Sequence, residues 1–496
     1  MFATRARVPW GFALVGLAAS SVLAVRAWTP APQRWSCGTS YVEMTYVHVK
    51  AEREGYVSGV ARIMSSEPLF RHLDASVHDD RARWSRIHVR ADDADTIVAE
   101  LMKDPNVEQA FVAPEVFLAR TRNRVARGES VAGPVADPVA DPLADPLADR
   151  RLDLLADPPV DLLADPADDG PGCPLTTPSF ESYQGYLGPA PHGIDAPAAW
   201  RRGYRGAGVW FADIEGGWNT DHEDLPGDRI IHVAGEQIRD PSWRAHGTAV
   251  LGEVVGKDNG RGVVGIAPDV ERVFTSSIGG ISVADAIDAA ANALRPGDVL
   301  LIELQTGGPR GRYVPVEYWD DLFDAIRAAT RRGVIVVEAA GNGGEDLDHD
   351  IYRGKFDRTR RDSGALMVGA GGPPRDGFAD RERLDFSNYG GRVDVQGWGR
   401  KVATLDYGDL QACDDEQASY ADRDYTNEFS GTSSASPIVA GAAVILEGIA
   451  RQRGAVLAPA ELRELLRRTG TPQAGDTREA IGPRPDLARA IQALAR

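Results

Sequence analysis

Four short runs dominated by apolar residues, Gly208 to Asp213 (GVWFAD), Asp298 to Leu304 (DVLLIEL), Gly333 to Ala339 (GVIVVEA) and Ala365 to Gly369 (ALMVG), are separated by segments of helical periodicity. Strands apolar along their whole length are buried on both faces, and their alternation with helices implies a parallel sheet covered by helices on both sides. With 496 residues, 43% of them hydrophobic, the chain can supply such a core and has length for two or three domains. In open parallel sheets the chemistry lies beyond the carboxyl ends of the strands, so the residues that follow these runs are the ones to read first.

Asp213 closes the first run, where its carboxylate could emerge at the strand end and orient a histidine. An aspartate there is also a common turn or helix-cap residue. His246 opens HGTAVLGEVVG, in which Val250, Leu251, Val254 and Val255 recur at helical spacing, and Gly247 beside it permits close packing. That places the histidine at a helix N-terminus. Ser433 lies in FSGTSSASPIVAGAAVIL, at the start of a helix rich in small residues, where backbone N–H groups and the helix dipole favour a developing negative charge. Pro437 is tolerated in that first turn, whose amides lack intrahelical partners. Asn342, in VVEAAGNGG, follows a buried strand and offers a side-chain amide as a second oxyanion donor, an interaction commonly worth about 10² to 10³ in rate. Each residue alone has a structural reading as a turn, a cap or a core histidine. Together they supply the nucleophile, base, orienting acid and oxyanion donors that amide cleavage requires.

The motifs HGTAVLG, AAGNGG and GTSSASPIVAG, in the order Asp, His, Ser, resemble those of the subtilisin-like (S8) serine peptidases over about residues 195 to 490. The resemblance implies a subtilisin-like α/β fold, a parallel sheet with helices on both faces preceded by a small α/β prosegment. It also implies a serine endopeptidase in which Asp213 orients His246, His246 is base and then acid, Ser433 forms the acyl-enzyme, and Asn342 with the Ser433 amide holds the oxyanion. The segment LIELQTGG resembles the family's substrate-binding strand, so Gln305, Thr306, Gly307 and Gly308 are expected to pair with an extended peptide. A catalytically inactive or limited-processing protein of the same fold that binds peptides is the alternative.

Upstream, Arg5 and Arg7 precede an apolar run from Val8 to Val25, which reads as an export signal over residues 1–27; a retained anchor is the competing reading. Tyr41 to Lys50 alternates as a half-buried strand, Asp93 to Leu101 is helical, and Asn106 to Ala113 reads as another strand, giving an α/β unit at 41–118. This unit resembles the family's inhibitory prosegment and would act as an intramolecular inhibitor. Residues 119–190, rich in Pro and Asp, read as a linker, opened by accessible arginines at Arg120, Arg122, Arg124 and Arg127, and the peptidase domain is expected over 191–496. The expected product is a secreted or periplasmic enzyme, made as a proenzyme and acting on proteins or peptides. The net charge of −18, with no concentration of Lys and Arg, argues against nucleic acid as a partner. No membrane partner is expected once the signal is removed. Of Cys37, Cys173 and Cys413, the pair Cys173 and Cys413 would survive prosegment removal; three unpaired thiols is the other reading.

The sequence departs from the family where Asp-Thr-Gly or Asp-Ser-Gly is usual and Asp213-Ile214-Glu215 stands instead, and where Glu303-Leu304-Gln305 replaces Asn-x-Ser. With Glu338, these glutamates are expected to lie together behind the catalytic residues, tuning the site or each bonded separately to backbone or arginine. No cofactor is required for the chemistry. Asp346, Asp348 and Asp350 offer oxygen ligands for a structural calcium, or form a solvated acidic loop. Leu405 to Glu428 reads as an insertion near the nucleophile.

Overall fold

The four expected apolar runs supply four strands of the main sheet. In a computed structural model, which describes residues 33–37, 40–52, 63–70, 80–119, 174–413 and 421–495, seven parallel strands form it. They are β7 (Trp210–Glu215), β8 (Ile230–Ala234), β9 (Arg272–Ser277), β10 (Val299–Ile302), β13 (Ile335–Ala339), β14 (Leu366–Gly371) and β15 (Val395–Trp398), in the order β15-β14-β13-β10-β7-β9-β8. The order reverses around β10 and β7, and the site is built at their carboxyl ends.

The pleat divides the sheet into two cores. Phe211, Val299, Leu301, Ile335 and Val337 share one cluster with helices α3 (Pro241–Val255) and α6 (Thr432–Gln452). Their neighbours Ala212, Ile214, Leu300, Ile302 and Val336 share the other with α4 (Val283–Ala293) and α5 (Asp320–Arg331). Alternate residues of one strand point to opposite faces, so every residue of these strands has an apolar partner layer. That is why the runs carry so few polar residues.

The N-terminal unit has β1 (Gln33–Cys37), β2 (Ser40–Ala51), β3 (Ser65–Pro68), β4 (Trp84–Arg90), α1 (Ala94–Leu101) and β5 (Val107–Val112), close to the expected elements. Its antiparallel sheet has the order β1-β2-β4-β3, with β5 also paired to β2. Val47 and Val49 of β2 pack with Ile87, Val89, Ile97 and Leu101 in the unit's own core. The alternate residues face the large domain: His48 Nδ1 lies 2.7 Å from Asp321 and Lys50 Nζ 2.8 Å from Asp324, both acids near the start of α5. Trp84 donates its indole N–H to the same Asp324 at 3.1 Å, and Arg81 pairs with Asp288 of α4. Leu69, Phe70 and Trp84 join the apolar cluster formed with α4 and α5.

Two expected boundaries shift. Residues 174–190, assigned to a linker from their prolines, belong to the large domain: Phe180, Tyr186 and Leu187 lie in its core, and the Gln184 side chain bonds Val264 through both its atoms at 2.8 and 2.9 Å. Ala119 is buried in the large domain rather than opening a tether. The region 405–428 contributes half a hairpin, β17 (Tyr425–Phe429) pairing with β16 (Val402–Leu405) and leading directly into α6. Cys413 in this region is disulfide-bonded. The signal segment, the Arg120 to Arg127 stretch, the Pro/Asp tract up to 173 and Cys173 lie outside the described residues.

Beneath β13 and β14, fully buried Arg392 forms a bidentate pair with Glu317 at 2.7 and 3.0 Å and bonds Asp394 at 2.9 Å. The two carboxylates are tolerated in the interior because the guanidinium satisfies them. Arg392→Met is expected to lower stability by about 3–5 kcal/mol, measurable by denaturant unfolding, since it leaves buried Glu317 without its guanidinium while Asp394 keeps Arg358.

Candidate active site

His246 is fully buried on α3, six residues into the helix rather than at its start: the helix opens at Pro241, capped by Asp240, whose carboxylate accepts the Ser242 N–H at 2.8 Å. The group that orients it is Glu215, not Asp213. His246 Nδ1 is hydrogen-bonded to Glu215 Oε1, while Asp213 accepts the indole N–H of Trp218 at 2.7 Å. The expectation for Asp213 fails because β7 runs two residues further than the apolar run suggested, ending at Glu215. Positions 213 and 215 point to the same face, but 215 stands about 6–7 Å nearer the strand's exit, where the histidine approaches. The signal was present in Glu215-Gly216-Gly217, a glutamate followed by glycines where the family motif carries aspartate and glycine. Gly247 is required by this approach: a Cβ there would lie 2.4 Å from the Gly217 carbonyl oxygen and 2.8 Å from the Trp218 ring.

Ser433 is the second residue of α6 and is fully buried; among the described residues its Oγ has no hydrogen-bond partner. It follows Gly431, whose φ of 120° lets the chain turn sharply into the helix. Asn342 sits in the turn after β13, and its Oδ1 accepts from the Thr432 backbone N–H at 2.9 Å and from Thr432 Oγ1 at 3.0 Å. Those two bonds fix the amide, leaving buried Nδ2 without a partner among the described residues. The His246 ring packs edge-on against Phe429 at 5.4 Å, four residues before Ser433. Asn342 thus lies against Thr432, beside Ser433, and His246 against Phe429, with Glu215 rather than Asp213 bonded to the imidazole.

The segment expected to bind substrate is paired with the chain's own residues 116–118. Strand β11 (Leu304–Gly307) lies between β12 (Tyr313–Pro315) and β6 (Val116–Leu118), the tail of the N-terminal unit, in antiparallel pairing that sets Gln305 opposite Phe117 and Thr306 opposite Val116. Gly308 lies just past β11, its N–H donating to Arg312 O at 2.8 Å. Thr306 Oγ1 donates to Glu115 O at 2.9 Å and Gln305 Nε2 to Leu118 O at 2.7 Å. The tail then reaches the nucleophile: Ala119 N–H donates to Glu303 O at 3.2 Å, and the Ser433 N–H donates to Ala119 O at 3.0 Å.

The glutamate expectation holds in part. Glu215 and Glu303 share a buried acidic cluster with Asp213 and Glu253, but Glu338 does not join it. Glu338 is in register with Ile302 and Ile214, on the α4/α5 face, and accepts the Glu317 N–H at 3.0 Å. Burial pushes Asp213 well above the usual carboxylate range, reinforced by Glu215; burial does the same to Glu303, reinforced by Asp213 and Glu215, and to Glu253. Burial also raises Glu215, opposed by the Gly216 N–H. Burial and mutual repulsion oppose ionisation of these carboxyls together, and Glu215 is the one bonded to an imidazole. Ser436 Oγ donates to Thr432 O at 2.8 Å and lies 3.0 Å from both Glu303 oxygens, a donor that partly opposes the rise in Glu303. Of the acidic loop, Asp346 and Asp348 accept backbone N–H groups of Asp348 and Gly391, at 3.0 and 2.7 Å. Among the described residues no group of three or more His, Cys, Asp or Glu is placed to hold a metal ion.

Two outcomes follow from this arrangement. Glu215→Gln should slow labelling of Ser433 by a fluorophosphonate by about 10⁴, as for the orienting acid of other serine triads, while Asp213→Asn changes it little; the reverse pattern would restore Asp213 as the orienting group. Protonated burial of Glu303 stabilises the fold below the ordinary carboxylate pKa, and that contribution is lost as pH rises through the raised folded value. Thermal stability should therefore fall from pH 5 to pH 9, and Glu303→Gln should remove up to about 1.4 kcal/mol per pH unit of that slope.

A family model described as the subtilase family (Peptidase S8) matches residues 214–482, a span that begins beside Glu215 and excludes Asp213. An alkaline protease from Alkalihalobacillus alcalophilus is 29% identical over 284 residues, covering 56% of this chain and 63% of that protein, a little under two thirds of its length. Subtilisin DY from Bacillus licheniformis is 30% identical over 263 residues, 51% of this chain and 81% of that protein. An intracellular serine protease from Paenibacillus polymyxa is 29% identical over 269 residues, 52% of this chain and 72% of that protein. With the matched family model covering more than half of the residues, this chain belongs to the subtilase family of serine endopeptidases.

Proposed function

We propose that this chain is a secreted proenzyme whose Glu215, His246 and Ser433 cleave peptide bonds in proteins and peptides, and whose first substrate is its own bond between Ala119 and Arg120. The observation that carries the reading is the Ser433 N–H donating to Ala119 O at 3.0 Å, with the tail paired along β11. A carbonyl held this way has its carbon beside Ser433 Oγ. Oγ attacks that carbon as its proton passes to His246 Nε2, Nδ1 being held by Glu215, and the carbonyl electrons move onto oxygen. The tetrahedral oxygen is then within the reach of Asn342 Nδ2, a donor positioned for the oxyanion rather than for the resting carbonyl. Collapse breaks the C–N bond, His246 returns the proton to the amine of Arg120, and water releases the acyl group from Ser433.

After that cut the N-terminal unit still occupies the groove through β6 and still grips α4 and α5 through His48, Lys50, Arg81 and Trp84. A product held over so many buried contacts is an inhibitor until it is degraded. Export is supported by the Arg-flanked apolar N-terminus and by a disulfide at Cys413, a bond that persists in oxidising compartments. Cys173 is the partner this reading assigns, since Arg423 donates to Pro174 O, the residue after Cys173, and Cys413 Sγ lies 3.9 Å from Arg423 O. Expressed as a full chain, the protein should yield a mature form whose N-terminal sequence begins at Arg120, and Ser433→Ala should accumulate uncut. A Ser433→Ala chain cut at the same bond would remove self-processing from the reading.

A further inference from the structure

We infer that the Gln305 side chain sets the residue that can stand immediately before the cleaved bond, confining it to alanine or glycine. The inference rests on the groove and nucleophile described above and adds a substrate class to them. Gln305 stands opposite Phe117 in the antiparallel pair, so the two side chains leave the same face, and Ala119, two residues beyond Phe117, returns to that face. A long side chain on a groove strand ordinarily extends into solvent, but Gln305 is only 2% exposed. Both ends of its amide are engaged: Nε2 donates to Leu118 O at 2.7 Å, and Oε1 accepts the Asn342 backbone N–H at 2.8 Å.

The first of those acceptors is the carbonyl of the peptide unit joining Leu118 to Ala119. The second donor belongs to the turn that carries the oxyanion asparagine. Gln305 therefore spans from the bound chain to the turn after β13, across the space that flanks Ala119, whose methyl is fully buried. A larger side chain at 119 must displace the amide, breaking two buried hydrogen bonds and leaving Leu118 O and the Asn342 N–H unsatisfied. The second bond adds a penalty at the reacting centre, because the Asn342 turn loses a support when Gln305 moves. Glycine and alanine alone leave the bridge in place.

The test uses the full-length chain and a peptide series. In the precursor, Ala119→Phe should stop maturation, and the double variant Ala119→Phe with Gln305→Gly should restore a product beginning at Arg120. On peptides differing only before the scissile bond, the mature wild type should prefer Ala to Phe in kcat/KM, and Gln305→Gly should shift that ratio toward Phe by about tenfold or more. Gln305→Ala provides a second variant with a smaller opening and an intermediate shift. An unchanged ratio in both variants, or normal maturation of Ala119→Phe with Gln305 intact, would overturn the inference while leaving the catalytic reading standing. Failure of the wild type on every peptide would remove the catalytic reading and the specificity with it.

Discussion

The site depends on the two-residue period of β7. Because alternate residues of a strand face opposite sides of the sheet, Asp213 and Glu215 both point toward α3 and α6, while Ile214 between them fills the α4/α5 core. Only the last of the three leaves the strand where α3 passes. His246 is brought within bonding distance of Glu215 by the absence of a side chain at Gly247, where any Cβ would strike the Gly217 carbonyl oxygen. Strand exit and helix approach thus determine which carboxylate orients the imidazole, and residue type alone does not.

The same alternation sorts the other acids. Glu303 sits between the bound tail and the first turn of α6, its backbone oxygen on Ala119 and its carboxyl on Ser436. Glu338, one strand away, takes the opposite face and joins Glu317 and Arg392. One group is an array of carboxyls without a cation; the other is neutralised by a buried guanidinium. Burial raises Glu338 as it raises Glu303, whereas the Arg392 guanidinium holds Glu317 below the usual carboxylate range.

Much of this was legible in the residues. The apolar runs marked β7, β10, β13 and β14, and the alternation in 41–50 marked β2, because their side chains answer to local burial. The motifs around His246, Asn342 and Ser433 pointed to α3, the turn after β13 and the first turn of α6, although the histidine lies inside its helix rather than at the end. What escaped was the exit of β7, since the run GVWFAD stops at Asp213 while the hydrogen-bonded strand continues through two further positions. Residues 174–190 were misread for a related reason. Their prolines signal irregular backbone, and irregular backbone can still pack, as Phe180, Tyr186 and Leu187 do. The amide bridge of Gln305 has no local signature, because its partners at 118 and 342 are remote in the chain.

Strand β2 carries two sets of contacts in alternation, with Val47 and Val49 turned inward to its own unit and His48 and Lys50 turned outward to α5. Folding of the N-terminal unit and its packing on the large domain are therefore written into the same stretch of polypeptide, on opposite sides of one ribbon. A slip of a single residue along that ribbon would expose valines to the acids of α5 and bury the imidazole and ammonium in the interior of the N-terminal unit. That unit can consequently pack on the large domain only when it is itself correctly assembled.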